Sequence, residues 1–253
     1  MALELVTIPC RTDNYAFVIH DPATGDTAVV DVPEADAVLA ALAARGWRLT
    51  DILLTHHHGD HVDGVPALVA ATGARVLGAA ADAHRLPPLD RALAPGDAVT
   101  VGSETGVVID VSGHTIGHIA WHFPGAGLVF TGDSLMALGC GRLFEGSPAT
   151  MWQSLCRLAA LPPGTLVCSG HEYTAANGRF ALTLDAANPD LISRVADVAQ
   201  RRAAGLPTVP STLAEELATN PFLRAPELKS ALGMPAATDA EIFAEIRARK
   251  DRF

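Results

Sequence analysis

The sequence predicts an α+β fold: sheet layers flanked by helices, followed by a helical C-terminal region. Two observations carry this. In the first two thirds, short apolar runs each end in a polar turn, and four of them lead into His or Asp at their C-terminal edge. After about residue 173 the texture becomes helical. The chain has 253 residues, 49% hydrophobic and 18% charged, enough to bury one large core with an appendage and too apolar for general disorder.

Phe17-Val18-Ile19 and Ala28-Val29-Val30 read as strands separated by a turn at Asp21-Pro22-Ala23-Thr24-Gly25. Residues 34–45 read as a helix with Val38, Leu39 and Leu42 on one face and Gly46 at its end. Ile52-Leu53-Leu54 runs into Thr55-His56, Val107-Val108-Ile109 leads to Gly113-His114, Leu128-Val129-Phe130 to Gly132-Asp133, and Leu166-Val167 to Gly170-His171. Ligands converging from strand ends are how sheet proteins build sites on a rigid scaffold. Farther on, Asn188-Pro189 is an N-cap with Pro at the first helical position, and Leu191, Ile192, Val195 and Val198 follow at helical spacing until Gly205. Thr212 with Glu215, and Thr238 with Glu241, have capping-box spacing. The last helix is expected over 239–250, with Ile242, Phe243 and Ile246 inward. The domains expected are 1–172 and a helical 173–253.

The net charge of −10 argues against nucleic acid, which needs clustered Lys and Arg. No run approaches the roughly 18 apolar residues of a membrane span. Met1-Ala2-Leu3-Glu4-Leu5 has no basic start, so no secretory signal is expected. Cys10, Cys140, Cys156 and Cys168 are widely spaced, which points to reduced thiols in a cytoplasmic protein.

Thr55-His56-His57-His58-Gly59-Asp60-His61 carries the chemistry. On a strand end, His56 and His58 point to the same side because side chains alternate with period two, and Asp60 and His61 follow on the turn. Imidazole and carboxylate suit zinc, iron or manganese. Four ligands this close in sequence fit two ions better than one. His114, Asp133 and His171 complete the count: His56, His58, His114 and Asp133 on one metal, Asp60, His61, His171 and Asp133 on the other, with one Asp133 oxygen on each ion. Two ions roughly 3.5–4 Å apart can share a hydroxide nucleophile at neutral pH. His57 is expected to point away from its neighbours, and His20, His84, His118 and His122 to be structural.

These motifs resemble the metallo-β-lactamase superfamily: Thr55-His56-x-His58-x-Asp60-His61, Gly113-His114-Thr115-x-Gly117-His118, Thr131-Gly132-Asp133 and Gly170-His171. Within it, the chain is similar to the glyoxalase II (hydroxyacylglutathione hydrolase) family. That likeness rests on Asp13-Asn14-Tyr15, Cys140-Gly141-Arg142, Phe144-Glu145-Gly146, His171-Glu172-Tyr173-Thr174, Asn220-Pro221-Phe222-Leu223-Arg224 and Lys250-Asp251-x-Phe253, across essentially the whole chain. It implies a four-layer αββα sandwich with a helical C-terminal domain that helps bind glutathione. It implies two divalent ions per chain, zinc foremost, and hydrolysis of S-D-lactoylglutathione to D-lactate and glutathione, the second step of methylglyoxal detoxification. The metal ligands carry over at the seven positions above, with His56, His58 and Asp60 nearest the chemistry. The glutathione contacts map onto Arg142, Phe144, Tyr173, Arg247 and Lys250. Phe144 stands where the family often has Tyr, Arg142 where it often has Lys, and Ser112 where it usually has Pro.

The residues agree with that chemistry. Glutathione conjugates are anionic near neutral pH, and Arg247 and Lys250, three apart, share one face of the last helix. A thiolate leaves without a strong general acid, and Asp60 can steer the proton of the attacking water. Ser134 follows Asp133, but no G-x-S-x-G elbow is present, so a serine hydrolase is rejected. Cys140 reads as a packing residue. The partner expected is the glutathione thioester alone, bound by a monomer. A persulfide dioxygenase of the same superfamily is the alternative, with one iron on His56, His114 and Asp133. The C-terminal Lys250-Asp251-Arg252-Phe253 favours the hydrolase. A secreted β-lactamase, a nuclease and a non-catalytic metal binder each lack support in charge or motif.

Overall fold

The computed structural model describes residues 3–253; the reading of the N-terminal start at Met1 and Ala2 lies outside them. Packing divides the chain into two compact units, one of residues 1–110 and 117–132, the other of 111–116 and 133–253. The partition does not follow residue 172.

The first unit begins with β1 (Glu4–Cys10), β2 (Asn14–His20) and β3 (Thr27–Val30), continues through α1 (Ala35–Arg45), β4 (Asp51–Leu53), α2 (Gly59–Val62) and α3 (Val65–Thr72), and adds β5 (Arg75–Ala79) and β6 (Arg91–Leu93). These strands form one sheet in sequence order, antiparallel from β1 to β3 and parallel from β3 to β6. β2 shows the period of two that splits its faces. Ala16 and Val18 join a core with Val38 and Leu42 of α1 and Val65 and Leu68 of α3. Phe17 points the other way, with its ring 5.7 Å from that of Phe130.

Phe130 belongs to a second antiparallel series, β7 (Ala98–Val101), β8 (Glu104–Asp110), β9 (Ile119–Phe123) and β10 (Leu128–Gly132). A helix layer and two sheet layers are therefore present within this unit. The expected helix over 34–45 is α1, closed by Gly46 in the left-handed conformation at φ 67°.

The second unit holds the short hairpin β11 (Leu135–Met136) and β12 (Gly139–Cys140), then α4 (Pro148–Ala159), β13 (Leu166–Ser169) and α5 (Thr174–Leu182). It continues with α6 (Pro189–Ala203), β14 (Ser211–Thr212), α7 (Leu213–Thr219), α8 (Ala225–Leu228) and α9 (Asp239–Arg252). The sequence's caps form as read. The Asn188 side chain accepts from the amides of Asp190 and Leu191, and both capping boxes close. α9 buries Ile242, Phe243 and Ile246 completely. Among the described residues no helix is long and apolar enough to cross a membrane, and all four cysteines are free thiols.

Candidate metal and substrate site

The parallel pairing of β3 with β4 aligns Val30 with Leu53, so both strands end at one edge. Beyond that edge Asp31 meets the start of the histidine motif. Asp31 takes a left-handed backbone, φ 55°. Its Oδ1 accepts from the Thr55 amide at 2.8 Å, and its Oδ2 accepts from the Thr55 hydroxyl at 2.7 Å. The same Oδ2 lies 2.8 Å from His61 Nδ1. A carboxylate there keeps the proton on Nδ1 and frees Nε2 as a ligand. Asp31 carries no motif signal in the sequence and was not foreseen as part of the site.

His56, His58, Asp60 and His61 all lie in the first unit. The ring of His56 is 4.8 Å from that of His58 and 4.2 Å from that of His61. Asp31, His56 and His61 are all buried and offer ligand atoms within 4.8 Å of one another. Asp60 Oδ2 is 3.9 Å from His61 Nε2. Asn14 holds Asp60 by donating to its carbonyl oxygen at 3.0 Å and to Oδ2 at 3.1 Å, which gives the Asp-Asn-Tyr segment a role. His57 departs from its neighbours as expected: its Nδ1 is 2.8 Å from Oδ2 of buried Asp82. His118, expected to be structural, stacks on His56 at 4.5 Å. Gly132, at φ 48°, is required here, because a Cβ would come within 2.5 Å of Thr55 Oγ1 and 2.8 Å of the His118 ring.

His114, Asp133 and His171 lie in the second unit. Asp133 Oδ2 is 3.5 Å from His114 Nε2 and 3.3 Å from His171 Nε2. Two donors about 2.1 Å from one ion at a tetrahedral angle stand roughly 3.4 Å apart. Both separations therefore fit a carboxylate oxygen sharing an ion with each imidazole. The same oxygen, Oδ2, is within these distances of both rings. His114 Nδ1 lies 2.8 Å from the Arg142 carbonyl oxygen, an acceptor that favours a proton on Nδ1 and leaves Nε2 available to a metal.

The expected substrate contacts are in the same unit. Phe144 is exposed, and its ring meets that of His114 edge-on at 5.2 Å. Tyr173 is exposed and stacks on His171 at 4.7 Å. Glu145 accepts from the Ile116 amide at 2.7 Å, so the Phe-Glu-Gly segment closes against the Gly-His loop. Lys250 sits with Nζ 3.4 Å from the Ala176 carbonyl oxygen. Burial, then the guanidiniums of Arg247, Arg179 and Arg142, lower its pKa. Arg247 is 5% exposed. It donates to the Cys140 carbonyl oxygen at 3.0 Å, pairs with Asp251 at 2.8 Å, and lies over the Phe222 ring at 5.2 Å. Cys140 is buried, and burial pushes its thiol up to about 11.

The metallo-beta-lactamase superfamily model matches residues 12–171, and the model described as hydroxyacylglutathione hydrolase C-terminus matches residues 172–253. The hydroxyacylglutathione hydrolase of Cereibacter sphaeroides (strain ATCC 17025) is 70% identical, with all of both chains covered. The chain belongs to the hydroxyacylglutathione hydrolase family. Among solved structures, a B3 metallo-beta-lactamase, BLEG-1, aligns with TM-score 0.68 and 21% identity over 87% of this chain and 99% of its own, which shows the fold. TTHA1623 in a di-iron-bound form aligns with TM-score 0.63 and 26% identity over 87% of this chain and all of its own. The two family models meet after residue 171, a boundary in sequence that differs from the packing division.

Proposed function

We propose that the chain hydrolyses S-D-lactoylglutathione and related glutathione thioesters to D-lactate and glutathione, the second step of methylglyoxal detoxification. The observation that carries this reading is the pairing of Phe144 with His114 and of Tyr173 with His171. Two exposed aromatic walls for a substrate touch the two imidazoles that flank Asp133. The high identity to relatives named hydroxyacylglutathione hydrolase, over the full chain, supports the same substrate class.

In this reading His56, His58, His114 and Asp133 hold one divalent ion, and Asp60, His61, His171 and Asp133 hold the other. Zinc is proposed; iron and manganese suit the same nitrogen and oxygen donors, and a relative in fold carries two irons. When bound, such ions lower the pKa of water and polarise a carbonyl. The chain's own groups prepare that chemistry. Asp31 and the Arg142 carbonyl fix the tautomers of His61 and His114. Asp60, held by Asn14, is placed to accept a proton from the attacking water. The leaving thiolate is stable enough to depart without a strong acid.

Cys140 is buried and neutral, and Ser134 is buried with its hydroxyl directed at Met151 Sδ, 3.7 Å away, so neither serves as nucleophile. Residues 173–253, with Arg142 and Phe144, supply the glutathione contacts. Phe144 offers apolar contact only, without the hydroxyl that a Tyr would add. The cytoplasm and a monomeric state complete the proposal, supported by four free thiols in the first case and tested by light scattering in the second.

The test is hydrolysis of S-D-lactoylglutathione by purified protein, with metal content measured on the same sample. Fast turnover with about two metals per chain is expected. No hydrolysis, with one iron per chain and oxygen uptake on glutathione persulfide, would move the protein to the dioxygenase branch.

A further inference from the structure

The histidine run holds one imidazole that the proposed chemistry does not use. His57 lies between His56 and His58, and its side chain leaves the extended segment on the opposite side. Its Nδ1 is 2.8 Å from Oδ2 of Asp82, at the end of the 3-10 turn Ala80–Asp82 that follows β5. A carboxylate only accepts, so Nδ1 is the donor. Asp82 is 1% exposed. Burying a carboxylate is costly unless it is paired and hydrogen-bonded, and here both oxygens are used. Oδ1 accepts from Arg85 Nε at 2.6 Å and pairs with a second guanidinium nitrogen at 2.5 Å. Gly117 packs against the same carboxyl group: at its φ of 92°, a Cβ would come 3.1 Å from Asp82 Cγ. Asp82 therefore meets two histidine-bearing segments of the first unit, one at His57 and one at Gly117-His118.

The histidines of the proposed metal centre are oriented by different means. His56, His61 and His114 each have Nδ1 within 3.0 Å of an oxygen, from the Thr55 hydroxyl, the Asp31 carboxylate and the Arg142 carbonyl. His58 is only half-buried, whereas His56 and His61 are buried. Its ring is flanked edge-on by two others, His56 at 4.8 Å and His57 at 5.0 Å. A strand end with two ligands on one side is free to roll about its axis. A buried hydrogen bond from the middle residue, on the other side, stops that rotation.

We propose that Asp82 is a positioning residue for the metal centre: it fixes His57, the His57 ring braces His58 as a ligand, and Arg85 compensates the buried carboxylate. The inference rests on the metal assignment proposed above and extends it, because neither His57 nor Asp82 touches an ion in that assignment. An ion pair that served the local turn alone would need only Asp82 and Arg85, three residues apart. The second oxygen is instead directed 25 residues back along the chain, to the one residue that separates two ligands.

The experiment uses full-length protein loaded with Co2+, whose visible absorption reports ligand geometry, and competition with a chelator, which measures affinity. His57→Ala and Asp82→Ala are each expected to weaken one of the two ions about tenfold, the low end for groups that orient a ligand. Each should also change that ion's absorption, while the other ion keeps its affinity. The double variant is expected to lose no more than either single one, because Asp82 acts through His57. His57→Asn puts an amide NH2 near the place of Nδ1–H, keeps the anchor to Asp82 and should recover part of the loss. His57→Phe keeps a ring beside His58 but leaves Asp82 without its donor, and should recover less. If Asp82→Ala fails to fold, the half-buried His57 variants carry the same test.

Unchanged chelator competition and absorption in His57→Ala overturn the inference, even with a lowered Tm, since the contact would then serve stability alone. Losses that add in the double variant overturn it as well, because they remove the route through His57. If the unsubstituted protein binds no divalent ion, the metal assignment itself fails and the inference with it. If that protein binds two ions, responds as expected to these substitutions and does not hydrolyse S-D-lactoylglutathione, the proposed function fails and the inference stands.

Discussion

His114 Nδ1 and the carbonyl oxygen of Arg142 are 2.8 Å apart, so a proposed metal ligand is oriented by the backbone of a proposed substrate contact. Gly141 makes this possible. A Cβ at that position would overlap the Asp133 carbonyl oxygen and approach His114 Nδ1 to 2.9 Å. Neither group can retreat without moving a proposed ligand. Gly141→Ala is expected to lose metal and activity together while far-UV circular dichroism stays near that of the unsubstituted protein. Full metal content in a purified Gly141→Ala protein would show that the close approach is not needed.

Asp31 binds Thr55 through its amide and hydroxyl and His61 through Nδ1. In Asp31→Asn one of the two carboxylate oxygens becomes an NH2 group. If the remaining oxygen keeps the Thr55 amide, a donor faces His61 Nδ1, and the imidazole loses the acceptor that set its tautomer. Metal affinity is expected to fall about 10- to 100-fold, as for other partners of metal-bound histidines. Competition with a chelator measures this. The loss should fall on one of the two proposed ions, so content drops toward one per chain.

The residues that were legible in the sequence share a local signal. His56, His58, Asp60 and His61 fall within six positions after an apolar strand, where a period of two and a following turn dictate their directions. His114, Asp133 and His171 each follow a strand and a glycine. The caps at Asn188, Thr212 and Thr238 were equally readable, because side chain and amide are two or three residues apart. Ser147-Pro148 has the same pattern as Asn188-Pro189 and marks the start of α4, an unread signal of the same kind. Asp31 was silent because its partner His61 is 30 residues away and its neighbours Val30 and Val32 look like ordinary strand. The depth of Arg247 was equally silent: its spacing from Lys250 gives the helix face, and only tertiary packing shows how far α9 turns this residue inward.

Glu216 is a second long-range case and gives a stability prediction. It is fully buried and takes part in an ion pair with Arg194. It also accepts from the Ser211 hydroxyl at 2.6 Å, the Leu138 amide at 2.9 Å and Asn220 Nδ2 at 3.0 Å. Glu216→Ala takes the carboxylate away from the largely buried Arg194 guanidinium, which keeps only the Thr219 hydroxyl, and strands the Ser211 hydroxyl and the Leu138 amide, while Asn220 keeps the Met136 and Gly139 carbonyls. A loss of about 3–5 kcal/mol is expected, the scale seen when one partner of a buried pair is removed. The urea midpoint reports it, and a shift equivalent to less than about 1 kcal/mol would put the network's contribution at that of a surface pair.

Thiol reactivity separates packing from catalysis. Burial raises the Cys10 and Cys140 thiols to about 11 and pushes Cys168 up as well. Cys156 is exposed, with its pKa raised by partial burial and then by Asp239. The thiolate is the reacting form, so the three buried thiols are inert near pH 8. A disulfide reagent should therefore titrate one fast thiol in the native protein and four after denaturation, with activity retained after the fast phase. Loss of activity on modifying Cys156 would place that thiol closer to function than its position on α4 implies.

Lys250 gives opposite signs for binding and for stability, which makes its role separable from unfolding. Burial, followed by the guanidiniums of Arg247, Arg179 and Arg142, lowers its pKa below the ordinary 10.5. As pH rises through the lowered value, the ammonium loses its charge and its attraction for a carboxylate. KM for the glutathione thioester is therefore expected to rise on the alkaline side, earlier than an exposed lysine would allow, with kcat unaffected. Between the lowered pKa and 10.5 the unfolded chain still binds the proton that the folded chain has released. Stability from this group therefore increases with pH across the same window. An alkaline rise in KM in a protein whose Tm does not fall thus reports the loss of one charge. Lys250→Arg keeps that charge and should flatten the KM limb. A limb unchanged in Lys250→Arg would assign the titration to another group.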